Sequence, residues 1–117
     1  MREIQFYRNA SGDCPVEEFL DRLGPKQAQK VAWVLKHVQG LPLVPKQYLK
    51  KLEGPDGLWE VRAEFAGDAF RLLGFWDAGR LIILTNGFAK KTQKTPEREM
   101  TLAARRKRDY LNRKTRP

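Results

Sequence analysis

A chain of 117 residues, 41% hydrophobic and 32% charged, suits one domain with its own core and is too apolar to be disordered throughout. A lone cysteine, Cys14, excludes an internal disulfide, and a lone histidine, His37, excludes a His-rich metal site, so no cofactor is expected. The net charge is +9, with 11 basic and 3 acidic residues in 81–117, and this crowding into the last third points to a polyanionic partner.

In chain order, Arg2–Tyr7 reads as a short strand with Ile4 and Phe6 on one side and Glu3, Gln5 and Tyr7 on the other. Asn9–Asp13 is a turn. Pro15 opens a helix capped by Asp13 or Cys14, with Val16, Phe19, Leu20 and Leu23 at helical spacing and Gly24 as its stop. Pro25 opens a second helix, whose stripe is Ala28, Val31, Val34, Leu35 and Val38, ending at Gly40. The Gly-Pro junction and matched stripes predict an antiparallel helical hairpin. Leu41–Pro45 is a proline-broken linker, and Gly54–Gly57 is a turn.

Three strands are expected next: Leu58–Phe65, Phe70–Trp76 and Arg80–Asn86, joined by a hairpin at Ala66–Ala69 and a turn at Asp77–Gly79. Thr95-Pro96-Glu97 marks a helix start, with Thr95 as the cap, running to about Asn112 before a basic tail at 113–117. The whole chain, 1–117, thus reads as one α+β domain: a helical hairpin packed on a small antiparallel sheet, in the order β-α-α-β-β-β-α. No apolar run approaches the roughly 20 residues of a membrane span, and the N-terminus lacks a signal-peptide core. A cytoplasmic protein without a membrane partner is expected.

With Gly67 and Asp68 as the central turn residues, Glu64 would pair with Arg71 and Arg62 with Leu73. Alternation then puts Glu60, Arg62, Glu64 and Arg71 on one face, and Trp59, Val61, Ala63, Phe65, Phe70 and Leu72 on the other, under the helical hairpin. The length of the next turn leaves the face of Ile82 and Leu84 open.

Two arginines inside strands need partners or a task. Arg62 and Arg71 can pair across the hairpin with Glu60 and Glu64, for a few tenths of a kcal/mol each. They can equally form a phosphate clamp, because guanidinium donors come in a fixed fork and stay charged. Lys90, Lys91 and Lys94 follow the last expected strand and precede a helix N-terminus, which favours anions. Lys50 and Lys51 come before the sheet and form a second basic pair. His37, near a helix end, is read as a residue favoured by the dipole rather than an acid–base group. Trp33, Trp59 and Trp76 are read as core or flank packing.

The segments L-x-G-x-x-G-L-W-E-x-R (52–62), R-L-L-G-F (71–75) and G-F-x-K-K-T-x-K-T-P (87–96) together resemble the phage-derived, HigB-like branch of the RelE/ParE toxin superfamily, over about residues 3–112. The resemblance implies the toxin of a type II toxin–antitoxin pair. It implies an mRNA interferase that cleaves messages in the ribosomal A site. It also implies a helix-turn-helix antitoxin partner in a hetero-oligomeric complex that binds operator DNA. Metal-free cleavage would use the substrate 2′-OH as nucleophile, leaving a 2′,3′-cyclic phosphate and a 5′-OH. Arg62 and Arg71 would stabilise the pentavalent phosphate and Lys90 or Lys94 would transfer protons. Lys50, Lys51 and Lys91 would bind flanking RNA phosphates. Some members of the superfamily use a Tyr or His in the last segment; the only one here, Tyr110, falls on a helix stripe with Met100, Ala103 and Leu111 and reads as packing. The competing functions are a ParE-like gyrase inhibitor and a non-catalytic nucleic-acid-binding module.

Overall fold

The structure is a computed structural model that describes residues 2–92 and 94–115. Strand β1 (Glu3–Phe6) leads into helices α1 (Pro15–Asp21) and α2 (Pro25–Gly40), then strands β2 (Leu49–Lys51), β3 (Trp59–Phe65), β4 (Asp68–Asp77) and β5 (Leu81–Lys90), and helix α3 (Glu97–Lys114). The order is therefore β-α-α-β-β-β-β-α, one strand more than expected. The extra strand, β2, is three residues long and exists by virtue of its ladder to β3, in which Leu49 pairs with Val61 and Lys50 with Glu60.

The five strands form one sheet in the order β1-β5-β4-β3-β2. It is mixed rather than antiparallel: β1 runs parallel to β5, which two intervening helices permit and a hairpin would not. Nor do the helices chiefly pack on one another. α1 lies against β5 and α2 against β3, side by side on the same face of the sheet. Val16, Phe19, Val31, Val34 and Val38 meet Val61, Ala63, Phe70, Leu72, Ile82 and Leu84 there, and this is the principal core. The expectation for the inward face of β3 and β4 holds, and Ile82 and Leu84 join it.

α3 covers the opposite face. Leu58, Leu73 and Ala103 form one small core under it, and Tyr7, Phe75 and Ile83 another. The central strands are thus buried on both sides, which is why RLLGF and LIIL read as continuous apolar runs. α3 extends to Lys114, so the first two residues of the expected basic tail, Arg113 and Lys114, are helical, and residues 116–117 lie outside the described ones.

The β3–β4 hairpin turns one residue earlier than expected. Phe65 pairs with Asp68, and Ala66 and Gly67 both have positive φ (51° and 87°), the signature of a two-residue primed turn. Arg62 therefore pairs with Arg71, and Glu64 with Ala69. Moving the turn by one residue shifts the pairing by two and preserves the faces, so Glu60, Arg62, Glu64 and Arg71 do share one. Between β4 and β5 the register slips at Leu73/Gly74, which pair with Asn86 and Leu84 and leave Thr85 as an extra residue. At this bulge a Cβ on Gly74 would lie 2.2 Å from the Ile83 carbonyl oxygen, so only glycine fits.

Candidate functional site

On the α3 side of the sheet, beyond the reach of the helix itself, the ladder assembles a cationic surface. Arg62 and Arg71 face each other directly across β3 and β4, an unfavourable pairing by itself. The carboxylate that offsets it is Glu60, 1% exposed. Its Oε1 lies 3.6 Å from Arg62 Nε and 3.7 Å from Arg71 Nε, and its Oε2 accepts a 2.7 Å hydrogen bond from the Thr95 hydroxyl. Glu64 Oε1 adds a looser contact, 3.9 Å from Arg71 Nη2. Of the ion pairs expected across the hairpin, those of Arg71 with Glu60 and Glu64 are present, whereas Arg62 meets Glu60 along its own strand, so Glu60 serves both arginines.

Both separations to Glu60 exceed a hydrogen bond, and both Nε atoms are buried without an acceptor. The guanidiniums are held elsewhere: Arg71 Nη1 donates to the Phe70 carbonyl (3.0 Å) and Arg62 Nη1 to the Lys46 carbonyl (3.3 Å). Arg71 is almost fully buried, and burial first, then the charge of Arg62, weaken its hold on the proton, with Glu60 and Glu64 opposing. An arginine remains protonated despite this. Two cations kept close around one carboxylate leave a surplus of positive charge for an anion.

Lys90 sits on the same face. It is the last residue of β5 rather than part of a loop, paired with Ala69 beside Arg71. Its ammonium pKa is lowered, chiefly by burial; Glu60 opposes the shift and Arg71, Arg62 and Lys50 add to it. Lys50 reaches this neighbourhood because β2 pairs it with Glu60. Two grooves meet at Arg62 and Lys90. One, about 470 Å³, is lined by Arg62, Glu64, Arg71, Lys90, Lys91 and Thr92. The other, about 590 Å³, includes Lys50, Glu60, Arg62, Lys90, Lys94 and Thr95.

All seven residues singled out from the sequence therefore border one connected surface. Lys51 is the outlier: it borders the second groove, but its register opposite Trp59 places it on the other face of β2. Thr95 has a different task from the expected one. The N-cap of α3 is Pro96, without a side-chain cap, and the Thr95 hydroxyl turns to Glu60 instead.

Other candidates lie apart. His37 is on α2, its Nδ1 2.8 Å from the Trp33 carbonyl oxygen and its ring stacked on Trp33 at 3.8 Å, on the opposite side of the sheet. Trp33, 42% exposed, packs on the flank against His37 and Tyr48, whereas Trp59 and Trp76 meet edge to face and pack against the core. Tyr110 packs on Phe75 and donates to Asp77 (2.8 Å), six residues along β4 from Arg71, roughly 20 Å in an extended strand. Burial, then the contact with Asp77, push its hydroxyl up to about 12. It acts as a structural bolt, with Lys114 bonded to both Asp77 oxygens.

A polar network joining β5 to α3 left no sequence signal. Thr85, at the bulge, donates to Asn86 Oδ1 (2.6 Å), and Asn86 donates to Glu99. Arg106 donates to the Thr85 carbonyl (2.9 Å). This network ties the first turns of α3 to the sheet. Among the described residues no three His, Cys, Asp or Glu side chains gather into a metal-binding group, and no helix is long and apolar enough to cross a membrane.

A search of curated proteins finds no match to the chain. Residues 18–108 match the family described as phage-derived protein Gp49-like (DUF891), a span that runs from α1 through most of α3 and includes every residue of the cationic face. The chain belongs to this phage-derived Gp49-like family.

Proposed function

We propose that this protein is the toxin of a type II toxin–antitoxin pair and that it arrests growth as an mRNA interferase, cutting translated messages with its sheet face. The Gp49-like membership is compatible with a toxin role. The observation that carries the reading is the meeting of Lys90, with its lowered pKa, and the Arg62–Arg71 pair on one face.

The reaction needs a base for the 2′-OH, cations for charge developing on phosphorus, and an acid for the leaving oxygen. Lys90, more readily neutral than an ordinary lysine, takes the 2′-OH proton. The O2′–P bond forms while Arg62 and Arg71 face the equatorial oxygens. The P–O5′ bond then breaks, Lys94 protonates O5′, and the products are a 2′,3′-cyclic phosphate and a 5′-OH. Lys50 and Lys91 hold flanking phosphates, with Lys51 at the rim. The ribosome presents the mRNA, and a helix-turn-helix antitoxin would block the toxin in a complex that binds operator DNA.

The test is induced expression in a bacterial host with mapping of mRNA 5′ ends. Codon-phased cuts are expected, lost in Lys90→Ala and Lys94→Ala variants that keep the wild-type fold. Intact messages with DNA-damage induction would instead identify a gyrase inhibitor. Unchanged toxicity in both variants would discard the lysine chemistry.

A further inference from the structure

We propose that Thr95 is a positioning residue for this site: its hydroxyl holds Glu60 at the midpoint between Arg62 and Arg71, so that both guanidiniums can meet a single phosphodiester. The proposal rests on the RNA-cleaving reading for its substrate, but its geometry stands by itself. Glu60 divides its two oxygens. Oε2 is taken by Thr95 at 2.7 Å, and Oε1 stands almost equidistant from the two Nε atoms, at 3.6 and 3.7 Å.

That midpoint is not a resting place for an unrestrained carboxylate. A small rotation of its last torsion would bring Oε1 to hydrogen-bond distance of one arginine, which is a stronger contact than two long ones. The other arginine would then lose its counter-charge, and the pair its symmetry. Thr95 prevents the rotation from 35 residues away in sequence. The threonine is not satisfying α3, whose N-cap is Pro96.

The same bond pins the loop that carries Lys91 and Lys94. Thr92 donates to the Lys94 carbonyl at 2.9 Å, and Thr95, next to Lys94, is tied to the sheet through Glu60. One hydroxyl therefore sets the arginine pair and the lysine loop together.

Two variants decide the matter. Thr95→Ser keeps the hydroxyl; Thr95→Val keeps the shape and removes it. In ¹H–¹⁵N spectra of the arginine Nε–H groups, Arg62 and Arg71 are expected to keep their wild-type shifts in the serine variant. Both should move in the valine variant, in opposite directions, as Glu60 closes on one of them. In mRNA cleavage on programmed ribosomes, the valine variant is expected to lose about 10- to 100-fold in kcat with KM changed by no more than about threefold, and serine to restore it. Unchanged Nε–H shifts in Thr95→Val would overturn the proposal. A wild-type protein that cuts no message would sink the cleavage reading alone, because the spectra report on the arginines without any reaction.

Discussion

Replacing Glu60 by Gln isolates what its charge does. The amide keeps the shape of the side chain and, through its oxygen, an acceptor for Thr95, while the counter-charge between Arg62 and Arg71 disappears. Removing one partner of a fully buried ion pair costs about 3–5 kcal/mol. Here the cost is smaller: the contacts are 3.6 and 3.7 Å long, the Arg62 side chain is 27% exposed, and Glu64 still stands 3.9 Å from Arg71. A loss of about 2 kcal/mol follows. At about 2.1 cal/mol/K per residue, a 117-residue domain unfolds with an entropy of about 0.25 kcal/mol/K, so Tm should fall by about 8 °C. Circular dichroism melts at pH 7 in low salt measure this directly. Inorganic phosphate should then raise the Tm of Glu60→Gln more than that of the wild type, because an anion replaces the missing charge by mass action. A variant as stable as the wild type and indifferent to phosphate would refute the view that Glu60 restrains a cation pair.

Gly74→Ala should be among the most damaging single changes, costing about 3 kcal/mol or preventing folding, because its Cβ meets the backbone of β5 at the bulge; a Tm within about 3 °C of wild type would count against it. Tyr110→Phe removes only the hydroxyl bonded to Asp77, so it should cost about 1 kcal/mol in denaturant titration and leave toxicity intact; loss of toxicity in a folded variant would give Tyr110 a chemical role. The Lys114 ammonium, then the Tyr110 hydroxyl, hold Asp77 below the ordinary 3.8. The stabilisation this implies is complete above that value and lost as pH falls through the folded pKa. Lys114→Ala should therefore lower Tm at neutral pH, with the difference from wild type closing as the pH falls through the folded pKa of Asp77, below its ordinary value. A constant difference across the acid range would show that the pair acts through packing instead.

Much of this fold was legible because the local code is strong. Pro15 and Pro25 open helices, and the alternation from Trp59 to Phe65 separates an apolar from a charged face; Gly24, expected to stop α1, instead caps the start of α2, because α1 already ends at Asp21. The face survived an error in the turn, since a two-residue slip in pairing leaves alternation intact. The strand β2 was hidden because three residues ending in Lys-Lys have no period to read; they become a strand only when β3 offers its edge. The direction of β1 was equally hidden, for a strand's own residues do not say whether its neighbour runs parallel.

The candidate site divides in the same way. Arg62, Arg71 and the lysines were visible as charges out of place in or beside apolar strands. Thr95 was visible too, but its surroundings, Thr-Pro-Glu before a helix, described a cap. Nothing local distinguishes a hydroxyl that closes a helix from one that reaches a carboxylate 35 residues away. The residues by themselves determined a cationic sheet face on a small α+β domain, because charge and alternation are properties of neighbours in the chain. Only the tertiary structure decided that Glu60 is shared between both arginines, that Lys90 lies half-buried beside them, and that α3 closes the sheet from their side. Those facts depend on distances between segments, and such distances exist only once the sheet has formed.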